Sequence, residues 1–175
     1  MGGTAQRGVA PAVDVPLAEL ARARLRLWLR LLSCVNMIET HLRGELRMRF
    51  DTTLPRFDLL SQLDQARGGL LMGELSRRLM VSNGNITGLI DRMEIEGLVR
   101  RSRETHDRRA VRVSITAQGR RAFAAMLPDH HGWVDALFSD LDAGEIETLG
   151  SLVGKLKRSV SRRNGGMAVE SDDAR

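Results

Sequence analysis

The stretch that decides the fold runs from Leu70 to Thr116 and reads LLMGELSRRLMVSNGNITGLIDRMEIEGLVRRSRETHDRRAVRVSIT. Apolar residues recur at helical spacing on both sides of a short break: Met72, Leu75 and Leu79 before it, and Ile86, Leu89, Ile90 and Met93 after it. Ser82 is a good N-cap for the second helix, because its hydroxyl can accept a hydrogen bond from an amide of the first turn. Two short helices separated by so few residues predict a helix-turn-helix, whose second helix can enter a DNA major groove.

A basic hairpin is predicted directly after the second helix. Gly97 is a helix-stopping residue, and the segment beyond it has strand alternation at Val111, Val113 and Ile115. The first strand carries Arg100, Arg101 and Arg103, and the connecting loop is THDRR at positions 105–109. A helix-turn-helix followed by a two-stranded β-hairpin with arginines at its tip is a winged helix. We expect the tip of this wing to reach an adjacent minor groove.

Three segments together resemble one family. GELSRRLMVS, NITGLIDRMEIEGLV and the wing D-R-R followed by VSITAQG are similar to the MarR family of bacterial transcriptional regulators, and the resemblance covers Leu54 to Gly119. It implies a mainly α fold in which N- and C-terminal dimerisation helices flank the winged helix-turn-helix. It also implies a homodimer that places two recognition helices on one face of double-stranded DNA.

The flanking segments fit this organisation. Leu17 to Phe50 has the apolar period of one long helix, and ~34 residues span about 50 Å, more than a domain of this size needs. We expect its surplus apolar surface to meet another subunit. Pro128 is expected to kink or interrupt the helix after the wing, and Asp142 and Glu145 form a D-x-x-E start signal for the last helix. The predicted domains are a disordered arm (1–16), the N-terminal dimerisation helix (17–53), the winged helix (54–119), the C-terminal dimerisation helices (120–163) and a disordered tail (164–175).

Composition narrows the function classes. Arg and Lys number 27 against 22 Asp and Glu, and all the cations except Lys155 and Lys157 are arginine, which suits phosphates and guanine edges. There is no run of 18 apolar residues and no signal-peptide order at the N-terminus, so we expect a cytoplasmic protein. No phosphate loop, G-x-S-x-G, H-E-x-x-H or paired acid/base constellation is present, which argues against an enzyme.

The predicted DNA contacts lie on the second helix and the wing. The helix begins with short polar residues, of which Asn can pair with adenine, Thr can meet a thymine methyl and Gly permits close approach. Asp107 is expected to brace one wing arginine while the other enters the minor groove. The predicted DNA-binding residues are Arg77, Ser82, Asn83, Gly84, Asn85, Thr87, Gly88, Arg108 and Arg109.

An effector site is the least specific prediction. The resemblance implies a small ligand, often an aromatic carboxylate, between the dimer helices and the winged domain. Arginines beside soft apolar residues suit an anionic aromatic, and the arginines of the first helix resemble relatives that answer to aromatic acyl-CoA thioesters. The alternative is that Met and Trp form core and the arginines form surface. The candidate residues are Arg24, Arg26, Trp28, Arg30, Met37, Phe57, Met126, His130 and Trp133.

Cys34 and the four histidines could indicate redox or metal sensing. Cys34 lies among apolar residues and the chain has no Tyr, which favours a buried structural cysteine over a sensing thiol. His41, His106, His130 and His131 lack metal-ligand spacing, so neither a metal nor a cofactor is predicted. The sequence therefore predicts a ligand-responsive repressor released from a palindromic operator. A ligand-independent, redox-responsive or metal-responsive winged-helix regulator is the alternative.

Overall fold

The chain folds into six helices and a small sheet across the residues that the computed structural model describes. These are 17–104 and 110–170, without the side chains of Asn83 and residues 164–170. The elements are α1 (Leu17–Phe50), α2 (Leu54–Gln65), β1 (Leu70–Leu71), α3 (Met72–Leu79), α4 (Asn83–Ile95), β2 (Val99–Arg103), β3 (Val111–Ile115), α5 (Ala117–Leu137) and α6 (Ala143–Glu170). The mainly α winged helix-turn-helix is confirmed. Within the described ranges, no helix combines the length and apolar content that a membrane crossing requires.

Local signals set the bounds of the recognition helix α4. The Ser82 hydroxyl accepts a hydrogen bond from the Asn85 amide at 3.4 Å, which confirms the predicted N-cap. Gly97 has a φ of 73°, and its amide donates to the Glu94 carbonyl while the Leu98 amide donates to the Met93 carbonyl, each at 2.9 Å. This is a Schellman ending, which needs a left-handed residue after the last turn and so favours glycine there.

The sheet has one strand more than predicted. β2 and β3 form the expected antiparallel hairpin, and β1 pairs antiparallel with β3 so that the strand order is β1-β3-β2. The sequence predicts no strand at Leu70 and Leu71. A two-residue strand is too short to show alternation, and only its pairing with Arg112 and Val113 defines it.

One apolar core joins the sheet to five helices. It is formed by the C-terminal half of α1, by α2, α3 and α4, and by α5, which packs against both α1 and α2. Its most buried side chains are Leu46, Leu59, Leu60, Leu63, Leu75, Ile86, Ile90, Met93, Val99 and Val113. Because Ile86 and Ile90 anchor α4 from inside, its opposite side faces away from the core.

Two boundaries after the wing differ from the sequence prediction. Pro128 lies inside α5, which continues to Leu137 without interruption. Proline removes one backbone donor, and the buried Met126 and Trp133 on either side hold the helix against the core. Helix α6 continues to Glu170, into the segment 164–175 that the sequence predicts as a tail. Gly165 and Gly166 weaken a helix but, unlike proline, leave all its hydrogen bonds available. The predicted arm (1–16) and residues 171–175 lie outside the described residues.

Apolar side chains remain exposed at both helical ends of the chain. On α6, the capping box is confirmed, because Asp142 and Glu145 each accept from the other's amide at 2.9–3.0 Å. The helix then presents an apolar seam, defined as Ile146, Leu149, Val153, Leu156 and Val160, and each member is 40–49% exposed. The N-terminal half of α1 likewise exposes Leu25, Leu27, Trp28, Leu29, Leu32 and Val35.

Candidate nucleic-acid interface

The N-terminal turns of α4 present a polar surface to solvent. Ser82, Gly84, Asn85 and Thr87 are exposed and Gly88 is half-buried, while the intervening Ile86 is buried. Five of the predicted DNA-binding residues thus lie together at one end of the recognition helix. Asn83 begins α4, but its side chain lies outside the described part. Short polar side chains of this kind can make hydrogen bonds to base edges.

Gly84 and Gly88 leave open space on this surface. A Cβ added at either position would meet no atom within 4 Å in the chain. Neither packing nor a positive φ therefore demands glycine there, although glycine is costly inside a helix. Close approach of a second molecule, as at the floor of a DNA groove, is a physical reason for these two residues.

Arg101 of β2 connects the wing to α4. Its Nη1 donates to Asp91 Oδ1 at 2.5 Å and to Glu94 Oε2 at 3.0 Å, and its Nη2 donates to the Thr87 carbonyl at 3.3 Å. The Arg101 amide also donates to Glu94 Oε1 at 2.8 Å. We refer to Arg101 with Thr87, Asp91 and Glu94 as the wing clamp. It was not predicted, although the carboxylates at spacing three on α4 and the inward strand position of Arg101 were visible signals.

A second ion pair holds the C-terminal end of α4. Arg56 of α2 forms a bidentate pair with Glu96, in which Nη1 donates to Oε1 at 2.7 Å. The hydrogen bond and charge of Arg56 hold the pKa of the Glu96 carboxyl below its usual range. A bidentate arginine restrains orientation as well as distance. The recognition helix is therefore tied to α2 at one end and to the wing along its length.

The wing is described at its stem and not at its tip. Arg112 pairs with Glu104 across the hairpin and donates from Nη1 to the Gly69 carbonyl at 3.0 Å, while the Glu104 amide donates to the Ala110 carbonyl at 3.0 Å. Asp107, Arg108 and Arg109, for which minor-groove and bracing roles were predicted, lie outside the described residues.

The arginines of α3 differ in availability. Arg78 is paired with Glu74 at 2.6 Å, whereas Arg77 is exposed and donates from Nε to the Gly73 carbonyl at 3.3 Å. In the described part of the chain, Arg77 forms no ion pair with a carboxylate. Arg77 thus remains the better placed of the two for a phosphate.

The candidate effector residues divide into two groups. Phe57, Met126 and Trp133 are buried where α2 and α5 meet, and the His130 ring stacks on Phe57 with centroids 4.3 Å apart. The other group lies exposed on the N-terminal half of α1 or just beyond it and comprises Arg24, Arg26, Trp28, Arg30 and Met37. An α-helix rises about 30 Å between Arg30 and Phe50, the α1 residue that contacts Trp133. One chain therefore does not bring the arginines to the aromatic group.

A groove of about 610 Å³ lies over the aromatic group between α2 and α5. Phe57, Phe123 and His130 contribute rings to it, and Asp64 and Asp135 contribute carboxylates. Burial and the neighbouring His131 lower the pKa of His130, which favours a neutral imidazole. The groove suits a flat apolar ring, and none of the described residues that line it is an arginine.

A smaller cavity of about 160 Å³ lies between α1, α2 and the helix-turn-helix. Asp58 lies in it beside Glu39 and Arg43, and the helix-turn-helix contributes Leu79, Val81 and Leu89. Burial, with a smaller contribution from the charge of Glu39, raises the pKa of Asp58 to about 6. Arg43 opposes this shift, but it is itself paired with Glu39 at 2.6 Å.

Cys34 is exposed, so the prediction of a buried cysteine is wrong for the single chain. The apolar residues near it in sequence project from the part of α1 that extends beyond the core. Among the described residues, no three His, Cys, Asp or Glu side chains converge as a metal site would require.

Comparisons with known proteins agree with this architecture. The MarR family model matches residues 52–111. Transcriptional activatory protein BadR from Rhodopseudomonas palustris is 31% identical over 151 residues, which cover 83% of this chain and 85% of BadR. Sco3205, a MarR family regulator from Streptomyces coelicolor solved in complex with DNA, superposes with a TM-score of 0.71 at 21% identity, covering 78% of this chain and 90% of Sco3205. A mutant MarR from E. coli complexed with operator DNA gives 0.65 at 28% identity, covering 73% of this chain and 91% of the other.

The sequence match and the fold lead to the same class. The matched segment contains most of the hairpin and the whole helix-turn-helix, including the exposed polar turns of α4. The relatives reported above are named as transcriptional regulators or are solved with operator DNA. The chain belongs to the MarR family and is a DNA-binding transcriptional regulator.

Proposed function

We propose that this regulator acts as a homodimer on a pseudo-palindromic operator. The observation that carries the proposal is the exposed apolar seam of α6 together with the exposed apolar residues of α1. The seam residues repeat at spacings of three and four, the pattern of helices that pack on partner helices. A two-fold pair of chains presents two copies of α4, and half-site centres about one helical turn (~10 bp) apart are expected.

The base-reading role of α4 is tested separately from the wing. Asn85→Ala should cost ~1–3 kcal/mol on the cognate site and relax its sequence preference, because one amide fork is lost. Each Arg→Ala at Arg108 or Arg109 should lower the salt slope of binding by about one unit if a phosphate contact goes. Fluorescence anisotropy on an operator selected from random DNA measures both quantities. Unchanged binding of the Arg108→Ala, Arg109→Ala double variant contradicts the wing assignment.

We also propose that an aromatic acid or its CoA thioester controls DNA binding. The groove over Phe57 and His130 supports a ring site, and the arginines of α1 support an anion site. Among the described residues, none of Arg24, Arg26 and Arg30 is paired with a carboxylate. Because these arginines lie far from the groove in their own chain, the anion must be met by the partner's α1 or by an extended ligand such as a thioester.

The expected response is release of the operator. A ligand shifts DNA affinity only through unequal affinities for two arrangements of the recognition helices, and filling the α2–α5 groove can change their spacing. The relative BadR is named a transcriptional activatory protein, so release need not mean derepression of every target.

Calorimetry and gel-shift titration test the effector class. Hydroxycinnamate- and benzoate-type acids are titrated as free acids and as CoA thioesters, with and without operator. If the thioester binds and Arg→Ala at positions 24, 26 and 30 leaves its affinity unaltered, the anion site is wrong. Binding by neither form removes the aromatic effector class. The ligand-independent alternative, which Asp64 and Asp135 in the groove favour, then remains.

A further inference from the structure

The wing clamp joins the two parts of the molecule that are expected to touch DNA. Thr87, Asp91 and Glu94 follow one another at spacings of four and three, so they form one side of α4. That side lies between the buried face of α4, which carries Ile90, and the exposed polar surface of the helix. It faces β2, and Arg101 donates hydrogen bonds to all three of its residues. Movement of α4 relative to the wing must therefore break or stretch these bonds.

Arg101 is directed inward by the strand register. β2 is an edge strand, in which Arg101 pairs with the fully buried Val113 of β3. Its outward amide, which an edge strand would leave to water, donates to Glu94. Arg100, the preceding residue, points to the other face and donates from Nε to Ser114 Oγ at 3.1 Å. Two adjacent arginines of equal charge thus have different environments.

We infer that Arg101 is a positioning residue for DNA recognition, which holds α4 at one angle to the wing and sets base discrimination without itself reaching DNA. All its described hydrogen bonds go to α4, which leaves little of the guanidinium for a phosphate. The side chain is 25% exposed, against 51% for Asp91 and 37% for Glu94. This inference rests on the proposed reading of bases by α4.

The exposed fractions of these side chains indicate that the clamp controls the orientation of α4 more than the stability of the fold. Ion pairs with this much solvent contact contribute little to stability, so the fold is expected to survive their loss. Orientation is more sensitive, because two recognition helices must match a rigid groove repeat at once. A protein whose competent orientation is populated less often binds its cognate site more weakly by the same factor. Non-specific binding depends on phosphates and tolerates a range of angles.

The test compares Arg101→Ala with Arg100→Ala, which removes the same charge from the neighbouring position. The probes are a duplex selected from random DNA by the wild-type protein and a shuffled duplex of equal length. Arg101→Ala should lower the ratio of specific to non-specific affinity about 10-fold, with the salt slope on shuffled DNA unchanged. Arg100→Ala should change that ratio less than about 2-fold. Equal losses in the two variants, or a fall in both affinities with a slope lower by about one unit, overturn the inference.

Three further variants separate the possible causes. Arg101→Lys keeps the charge but not the planar fork, so it should restore only part of the ratio and covers the case in which Arg101→Ala fails to fold. The effects of Asp91→Ala and Arg101→Ala on this ratio should be non-additive, since both variants remove the same clamp. Strict additivity contradicts the inference. Asn85→Ala reports on the proposed function itself. If Asn85→Ala lowers the ratio and Arg101→Ala does not, only the clamp inference fails, whereas no effect from Asn85→Ala counts against base reading by α4.

Discussion

The winged helix and the helical ends of this chain treat their apolar side chains differently. In the winged helix, Leu75 and Met93 are fully buried, and ion pairs such as Arg56–Glu96 cover the edges of the core. On α6, the seam residues each keep 40–49% of their surface exposed in the part of the chain that the structure describes. The winged helix thus buries apolar side chains such as Leu75 and Met93 within one chain. The second region leaves a row of apolar side chains in contact with water, which is the basis of the proposed dimer.

The largest expected effect is the loss of stability when a cavity is made in the winged helix. Leu75→Ala should lower the free energy of unfolding by about 3–5 kcal/mol, because Leu75 is 0% exposed and its neighbours cannot fully collapse. Leu152→Ala is the control, at a leucine that is 60% exposed on α6. Urea unfolding at two protein concentrations measures both. Dilution should reduce any cost of Leu152→Ala and leave that of Leu75→Ala unchanged, and equal costs in the dilute sample would contradict the comparison.

Charged residues on the α6 seam should dissociate the dimer without unfolding the winged helix. Leu149→Glu with Leu156→Glu should raise the dimer dissociation constant at least about 100-fold, or about 2.7 kcal/mol, because four carboxylates then meet at a two-fold interface. Analytical ultracentrifugation measures the constant, and circular dichroism checks that helix content is kept. Thr148→Glu with Ser151→Glu adds the same charge away from the seam and should leave the dimer intact. A monodisperse wild-type monomer at micromolar concentration would remove the basis of the comparison.

The smallest effect concerns Asp58, where α1 meets the winged helix. In the unfolded chain this carboxyl is charged above about pH 4, but in the folded protein only above about pH 6. The folded state therefore binds more protons in that window, and stability falls as pH rises through it. Asp58→Asn should remove this penalty and add about 1–2 kcal/mol at pH 7.5, a value reduced for solvent screening.

The Asp58 effect has a matched control in Asp64→Asn, on the same helix but more exposed. Urea unfolding at fixed protein concentration, at pH 4 and pH 7.5, separates the two aspartates. The gain from Asp58→Asn should be much smaller at pH 4, where the carboxyl is protonated in the folded state and about half protonated in the unfolded chain. A gain of equal size at both pH values would show that ionisation of Asp58 is not its cause.

Sequence reasoning succeeded where the signal lies within one turn or one helix. The bounds of α1, the Ser82 cap, the Gly97 ending and the Asp142–Glu145 capping box depend on neighbours a few residues away. It failed where the decisive partner is distant in sequence. β1 exists through its pairing with β3, and α5 continues past Pro128 because its apolar side packs on the core.

The candidate sites divide in the same way. The polar start of α4 was predictable, because helical spacing alone separates Asn85 and Thr87 from the buried Ile86 and Ile90. The effector set was drawn from three helices whose relative placement no local pattern encodes, and about 30 Å of helical rise separates Arg30 from Phe50, the α1 residue that contacts Trp133. The wing clamp was missed for a related reason, since an arginine in a basic hairpin is as easily assigned to DNA as to carboxylates.

By itself, the sequence determined most of the helices and the two strands of the hairpin, where most of them begin and end, and which family the chain resembles. These properties depend on hydrophobic period, caps and turn residues, which act over a few residues. Tertiary structure alone decided that Arg101 faces α4, that Phe57 stacks on His130, and that, among the described residues, the apolar side chains of the N-terminal half of α1 and of the α6 seam stay exposed. Such facts follow from how whole elements pack, because burial and charge pairing are set by residues that the chain brings together only when it folds.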